Sequence, residues 1–305
     1  MRLSTQTTET AHPKGQGMDQ WSIPQLAHYL CQAQLDSLAQ LDTLPSAIAR
    51  AGEAIVRRLT QAPHSRIIYV GAGSSGAIAC LDGMELFGTF GWPRERLGLL
   101  LAGGLQSFFD ASTSHEDDTL QALKDLTQLN PSAQDVIIAV AASGSTPYTL
   151  AVVQRAQSLG CLIIGIANTA ACTLLNLADH AILLNTGAEA LAGSTRLAAG
   201  TAQKLTLNTL STLVMTQLGY VYDHYMVNLH ISNHKLYERA LQIIMQITHA
   251  SRAEAVNALQ QAHNQVPQAI LILQGLSAEQ AHNLLIKHEF RLRSALNAIG
   301  ASPNR

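Results

Sequence analysis

The feature that most constrains the fold is a series of short apolar runs that alternate with helical stretches in the middle of the chain. These runs are rich in β-branched residues and lie at 66–70, 97–101, 136–141, 162–166 and 181–184. A strand that is apolar on both faces must be covered on both faces, and intervening helices are typical of a parallel sheet. We therefore predict an α/β fold with a doubly wound, parallel, five-stranded sheet.

Helical periodicity flanks this alternation on both sides. Before it, apolar residues recur at helical spacing over 23–41, and Pro45 suits the first turn of a second helix. After it, helices are predicted at 194–218, 232–247, 252–264, 267–275 and 278–299. We expect an irregular arm at 1–17, an α/β domain with N-terminal helices at 18–230 and a small helical subdomain at 231–305.

The composition excludes several classes of function. The 305 residues include 19 basic and 21 acidic side chains, for a formal charge of −2, and only 5% are aromatic. Cations are too sparse for the phosphate backbone of nucleic acids and rings too sparse for base stacking, so we expect no nucleic-acid partner. The N-terminus lacks the apolar stretch of a signal peptide, and the apolar runs are too short to cross a membrane.

The cysteines favour a reducing compartment. Their positions, 31, 80, 161 and 172, form neither a CxxC pair nor a metal-ligand set. We therefore expect a cytoplasmic protein with no membrane association.

Two loops rich in glycine and hydroxyl groups follow the first and third predicted strands. Their candidate anion-binding residues are Gly73, Ser74 and Ser75 in the first loop and Ser143, Gly144, Ser145 and Thr146 in the second. Glycine lets the backbone approach an anion, and a helix start adds free N–H groups and a positive dipole end. Two such loops at the carboxyl ends of parallel strands favour binding of a phosphosugar over a simple capped helix start.

The first loop also has the GxGxxG spacing of dinucleotide-binding proteins. That function requires an acidic residue at the end of the second strand to hold a ribose. The second predicted strand instead ends in Leu101-Ala102-Gly103-Gly104, so we expect no NAD.

Two glutamates are candidates for acid–base chemistry. Glu85 lies in apolar company near the far end of the helix after the first loop, where desolvation would raise its pKa toward that of a general acid. Glu116 follows Gly103-Gly104 at a predicted helix start. From the residues alone, Glu85 could equally be a surface side chain. Glu116 could simply be an acidic residue that the positive end of the helix dipole favours at a helix start.

Histidines do not complete a metal site. His115 neighbours acidic residues, and His230 and His234 have the i, i+4 spacing of zinc-binding helices, but neither set has a convincing third ligand. We therefore expect no metal and no other cofactor.

Several motifs match a known family in order and spacing from about residue 45 to about residue 240. They lie at 68–76, 81–85, 102–104, 116–117, 141–148 and 193–204. The chain resembles the N-acetylmuramic acid 6-phosphate etherases of the sugar-isomerase (SIS) superfamily, which are related to the animal glucokinase regulatory protein.

This resemblance implies cleavage of the lactyl ether of N-acetylmuramic acid 6-phosphate to N-acetylglucosamine 6-phosphate and D-lactate. The open-chain sugar loses its C2 proton, lactate leaves from C3, and water adds to the unsaturated intermediate. The resemblance makes Glu85 the acid for lactate and Glu116 the base at C2, without a metal or nicotinamide. It also places Ser194 among the substrate-binding residues and implies a homodimer, with the 194–218 helix as an interface element.

The chain departs from the family pattern at several positions. Ala77, Ser145 and Ala198 stand where basic residues are common, Leu-Phe-Gly at 86–88 replaces Cys-Pro-Pro, and the N-terminal motif around Thr8-Glu9 matches poorly. Two alternatives therefore stay open: a phosphosugar isomerase and a non-catalytic regulator that binds a sugar phosphate.

Overall fold

The computed structural model describes residues 7–108 and 113–300. Its described residues contain a five-stranded sheet in the order β2-β1-β3-β4-β5, with every neighbouring pair parallel. The strands are β1 (Ile67–Gly71), β2 (Leu97–Leu101), β3 (Val136–Val140), β4 (Leu162–Ala167) and β5 (His180–Leu183). The predicted α/β class and its five parallel strands are confirmed.

Burial explains why the apolar runs form these strands. Every residue of the three central strands β1, β3 and β4 is buried, whereas the edge strands β2 and β5 carry partly exposed positions. Central strands of a parallel sheet are covered on both faces, which requires side chains that are apolar at successive positions.

Helices flank the strands and form the rest of the chain. In the described residues they are α1 (Ile23–Leu38), α2 (Leu44–Gln61), α3 (Gly73–Phe90), α4 (Thr119–Leu129), α5 (Pro147–Ser158), α6 (Thr173–Leu177), α7 (Ala198–Gln217), α8 (His234–Thr248), α9 (Arg252–Gln261), α10 (Val266–Leu273), α11 (Ala278–Lys287) and α12 (Leu292–Ala298). Pro45 lies in the first turn of α2, as predicted. No helix among the described residues is both long and apolar enough to span a membrane.

The described chain divides into two compact units. One comprises the chain up to Gly83 together with Glu95–Ser211, and the other comprises Met84–Arg94 together with the chain from Thr212 onward. In the first unit, β-strand residues such as Ile68 and Ile137 pack with Val152 of α5 in a buried core. In the second, Leu241, Ile270 and other apolar residues of α8–α12 form a separate buried core. Residues 1–6 of the predicted arm and residues 301–305 of the predicted helical subdomain lie outside the described residues.

Two helix predictions need correction. The single helix predicted over 278–299 is wrong, because α11 and α12 are separated where Glu289 and Phe290 adopt left-handed backbone conformations, with φ of 54° and 57°. Neither residue is the glycine or proline that marks such a break in a sequence. The helix predicted from residue 194 begins only at Ala198, so Ser194 lies in the preceding loop.

Candidate active site

The two hydroxyl-rich loops leave neighbouring strands at one edge of the sheet. β1 and β3 pair in parallel, with Gly71 opposite Val140 at their carboxyl ends. The strand order reverses direction between them, because β2 lies beyond β1 while β4 and β5 lie beyond β3. Such a switch point is where open α/β sheets bind ligands, so the structure brings the two predicted loops together.

The first loop turns directly from β1 into α3. A Cβ built on Gly71 would lie 2.7 Å from Cα of Gly76, and one built on Gly76 would lie 2.6 Å from the carbonyl carbon of Gly71, so this tight turn requires glycine at both positions. The helix begins at Gly73, within the first loop. Ser74 and Ser75 therefore lie in its first turn, where backbone N–H groups have no partner within the helix. The Ser74 side chain is exposed and that of Ser75 is buried.

The second loop joins β3 to α5. Gly144 has φ of 65° and packs so closely on Cys172 that an added Cβ would lie 2.6 Å from the cysteine Cβ. The Ser145 N–H donates to Ser143 Oγ over 3.2 Å, which folds the loop onto itself. Thr146 is the N-cap residue and Pro147 begins the helix, but the Thr146 side chain makes no capping hydrogen bond. The helix start therefore keeps N–H groups for an incoming anion.

Glu116 lies against the start of α3. It belongs to a short 3-10 turn, Thr113–Asp117, and not to the first turn of α4, whose N-cap is Asp118. A Cβ built on Gly73 would lie 2.7 Å from Oε1 of Glu116, so the carboxylate rests directly on the glycine backbone. Gly73 has φ of 52°, which also favours glycine.

The surroundings of Glu116 suit a base. Its side chain is half-buried, and burial raises its pKa, with the neighbouring Asp117 carboxylate adding to the rise. The ring of His115 packs near the loop after β2, since a Cβ on Gly103 would lie 2.7 Å from its Cδ2. These contacts join the 3-10 turn to the loop after β2 and to the start of α3. A raised pKa brings a carboxylate base closer to the pH at which most enzymes work, where general-base catalysis is most efficient.

Glu85 is placed differently from the prediction. It lies on α3 twelve residues after Gly73, about 18 Å along the helix axis at the usual rise per residue. Its side chain is exposed. The expected desolvation of Glu85 is therefore wrong for a single chain, because Glu85 is exposed together with its apolar neighbour Met84, while Leu86 turns to the buried side of the helix.

Ser194 lies in a third loop, before α7. The side chain is half-buried, and its N–H donates to the Leu191 carbonyl over 2.9 Å. Thr195, one residue on, has its carbonyl oxygen 3.3 Å from a Cβ built on Gly200, and that Cβ would lie 3.2 Å from Cδ1 of Ile78 on α3. The end of the Ser194 loop and the Ile78 side chain of α3 therefore both border Gly200.

Two buried carboxylates that sequence reasoning missed hold this region in place. Glu189 has no exposed surface and accepts hydrogen bonds from the N–H groups of Ala198 and Ala199, each over 2.9 Å. Glu189 therefore caps the N-terminus of α7, although it precedes the helix by nine residues, and the helix dipole favours a negative charge there. Its signal in the sequence is only a lone acid among small and apolar residues at 187–192.

Asp82 is the second buried carboxylate, with 1% of its surface exposed. It accepts hydrogen bonds from the Tyr69 hydroxyl over 2.7 Å, from Nδ2 of Asn208 over 2.6 Å and from the Ser211 hydroxyl over 3.0 Å. Burial raises the pKa of Asp82, and these hydrogen bonds and the charge of Lys204 oppose the rise. The network ties β1, α3 and α7 together.

The assembled groups can bind an anion and remove a proton. Hydroxyl groups and helix N–H groups surround the switch point, and one carboxylate of raised pKa lies at its margin. β2 ends at Leu101, and Ala102 and Gly103 follow it. The end of the second strand, where dinucleotide-binding proteins carry an acid for the ribose, therefore has apolar residues and glycine.

Family models match most of the length. The model of the glucokinase regulatory protein N-terminal SIS domain matches residues 47–157, the SIS domain model matches 115–215, and the C-terminal lid domain of glucokinase regulatory protein matches 223–266.

Solved structures share the fold at low sequence identity. The E. coli CFT073 protein c3406 superposes with a TM-score of 0.51 at 16% identity, covering 72% of this chain and 100% of that one. A candidate phosphosugar isomerase of Bacteroides fragilis NCTC 9343 gives a TM-score of 0.53 at 19% identity, covering 69% and 98%.

Curated relatives are much closer in sequence, and each of the following is named N-acetylmuramic acid 6-phosphate etherase. The Deinococcus radiodurans protein is 38% identical over 90% of this chain and 90% of its own length. The Pasteurella multocida protein is 37% identical over 96% and 97%, and that of Yersinia pestis is 42% identical over 82% and 84%. This chain therefore belongs to the family of N-acetylmuramic acid 6-phosphate etherases.

Proposed function

We propose that this protein cleaves the lactyl ether of N-acetylmuramic acid 6-phosphate, with Glu116 as the base. The observation that carries this proposal is the half-buried Glu116 carboxylate on Gly73, at the start of the helix that follows the first hydroxyl-rich loop. The raised pKa of Glu116 and the full-length similarity to named etherases support the same conclusion.

The 6-phosphate is held by neutral donors. Ser74, Ser143 and Ser145, together with the starts of α3 and α5, lie after the carboxyl ends of the neighbouring strands β1 and β3. A phosphate dianion accepts strong hydrogen bonds from such groups. Ser75 is buried, so it contributes through its N–H group and not its hydroxyl. Thr146 and Ser194, which are half-buried, border the same region.

The reaction is an elimination followed by hydration. In the open-chain sugar the C1 carbonyl acidifies the C2 proton, which Glu116 removes. The C2–C3 double bond forms as the C3–O bond breaks, and the departing lactate oxygen takes a proton from Glu85. Water then adds its hydroxyl at C3 and a proton returns to C2. The products are N-acetylglucosamine 6-phosphate and D-lactate, and no oxidant or metal takes part.

The active unit in this proposal is a homodimer whose two chains supply one glutamate each to a site. Glu85 is exposed on its own chain, and it follows Gly73 by about 18 Å along α3. The base takes the proton from C2 and the acid protonates the ether oxygen on C3, so only the C2–C3 and C3–O bonds separate the two atoms on which they act. In this proposal, Glu85 of a second chain supplies the acid at the Glu116 site. The four free cysteines accord with a cytoplasmic location.

The test is release of D-lactate from N-acetylmuramic acid 6-phosphate by the purified protein. We expect turnover by the wild type and background release by a Glu85→Gln, Glu116→Gln double variant. Equal release by the two proteins would refute the proposal.

Product analysis by mass spectrometry separates the alternatives. A ketose 6-phosphate with no lactate would identify an isomerase. Binding of the sugar phosphate without any product would identify a regulator.

A further inference from the structure

The N-terminal segment contacts the loop that carries Ser194. The Gly193 N–H donates to the carbonyl oxygen of Thr8 over 2.9 Å, and Thr8 is 1% exposed. Glu9, the next residue, places its carboxylate over the same glycine, since a Cβ built on Gly193 would lie 2.9 Å from Oε2 of Glu9. Thr8 and Glu9 therefore contact this loop at Gly193.

The contact repeats the geometry of Glu116. Gly73 and Gly193 both have positive φ, 52° and 76°, and a side chain on either would collide with a glutamate oxygen. In both places glycine lets a carboxylate rest on the backbone. Gly193 directly precedes Ser194, so the Glu9 carboxylate lies at the loop that carries this candidate substrate-binding residue.

The Glu9 carboxylate has unused hydrogen-bonding capacity. Its side chain is exposed, and no hydrogen bond or ion pair engages it within the described ranges 7–108 and 113–300. An ionised carboxylate accepts only, so its natural partners on a sugar phosphate are hydroxyl and amide N–H groups. It would repel the phosphate and the lactyl carboxylate.

We propose that Glu9 is a substrate-positioning residue that accepts hydrogen bonds from the hydroxyl or amide groups of the bound sugar. This inference rests on the proposed function, because it takes the ligand to be an amino-sugar 6-phosphate. Glu9 selects for the polyhydroxylated chain, while the hydroxyl-rich loops hold the phosphate.

Calorimetric binding tests this role without requiring turnover. Two probes are titrated into wild type, Glu9→Ala and Glu9→Gln: N-acetylglucosamine 6-phosphate and inorganic phosphate. Loss of a hydrogen bond to a charged group should weaken sugar-phosphate binding about tenfold or more in Glu9→Ala, and less in Glu9→Gln, which keeps one acceptor oxygen. Affinity for inorganic phosphate should stay the same.

Glu53→Gln is the matched control, because Glu53 is an exposed glutamate on α2. It should bind both probes like the wild type. Unchanged sugar-phosphate affinity in Glu9→Ala would overturn the proposal. Parallel loss of both affinities would also overturn it, because Glu9 would then only hold the loop. Wild type that binds the sugar phosphate but releases no lactate would reject the etherase proposal and leave the Glu9 result to stand.

Discussion

The two proposed catalytic glutamates occupy contrasting surroundings. Glu116 is half-buried on the backbone of Gly73 at the start of α3, and burial followed by the charge of Asp117 raises its pKa. Glu85, near the other end of α3, is exposed. Within one chain, the proposed base is therefore partly covered and the proposed acid is exposed. The contrast teaches that the burial of a carboxylate depends on what covers it in space, since two glutamates of one chain differ in exposure.

The largest expected effect comes from removing the base. Glu116→Gln should lower kcat for lactate release about a thousandfold, because general-base catalysis contributes on that order and the amide cannot take the C2 proton. Steady-state kinetics measure the loss, and the exposed Glu53→Gln variant serves as control. A kcat within tenfold of wild type would assign the base elsewhere.

A complementation experiment tests whether the acid is supplied by the second chain. Glu85→Gln and Glu116→Gln should each be nearly inactive alone. After subunit exchange, mixed dimers contain one site with both glutamates, so activity should return to roughly a quarter of the wild-type value. If both glutamates act from one chain, mixing restores nothing, which would reject the shared site.

Gly73→Ala should disturb the contact between the backbone of residue 73 and the Glu116 carboxylate. The positive φ and the collision with the Glu116 carboxylate should lower the free energy of unfolding by about 1–2 kcal/mol and displace the base. Gly88→Ala is the matched control on the same helix, because open space surrounds that glycine and alanine favours helix. Denaturant unfolding and kcat measure the two effects, and equal behaviour of the variants would contradict the contact.

The smallest expected effect concerns pH. Glu116 acts when deprotonated, so kcat/KM should fall as pH falls through its pKa, and the raised pKa places this fall at a higher pH than for an exposed glutamate. Asp117→Asn removes the like charge and should shift the acid limb to lower pH. Exposed Asp42→Asn should leave the limb unchanged. A shift in the opposite direction in Asp117→Asn would show that the limb reports another group.

Local patterns predict the sheet well and the helix ends less well. The strands are short, apolar and separated by helices, so burial on both faces leaves one arrangement for them. The break between α11 and α12 lies at Glu289 and Phe290, which adopt left-handed conformations. Neither residue is a glycine, so the sequence does not mark this break. Packing of the C-terminal helices decides that break, and packing is not a property of a local window.

The candidate site shows the same division. The pattern of glycines and hydroxyls predicts the two loops, because strand direction alone brings their starting points to one edge of the sheet. The caps and networks of Glu189 and Asp82 join residues that are distant in sequence, such as Asp82 and Asn208. No spacing rule connects such pairs.

The sequence by itself determined the α/β class, the positions of the two hydroxyl-rich loops and, through resemblance, the two glutamates to examine. Those features depend on local periodicity, on helix starts and on motif order, which are all written along the chain. Tertiary structure alone decided that Glu116 rests on Gly73, that Glu85 is exposed and that Glu9 stands over Gly193. The burial and pKa of a carboxylate depend on which residues pack around it in the folded chain. Residues that are distant in sequence make those contacts, so no local pattern predicts them.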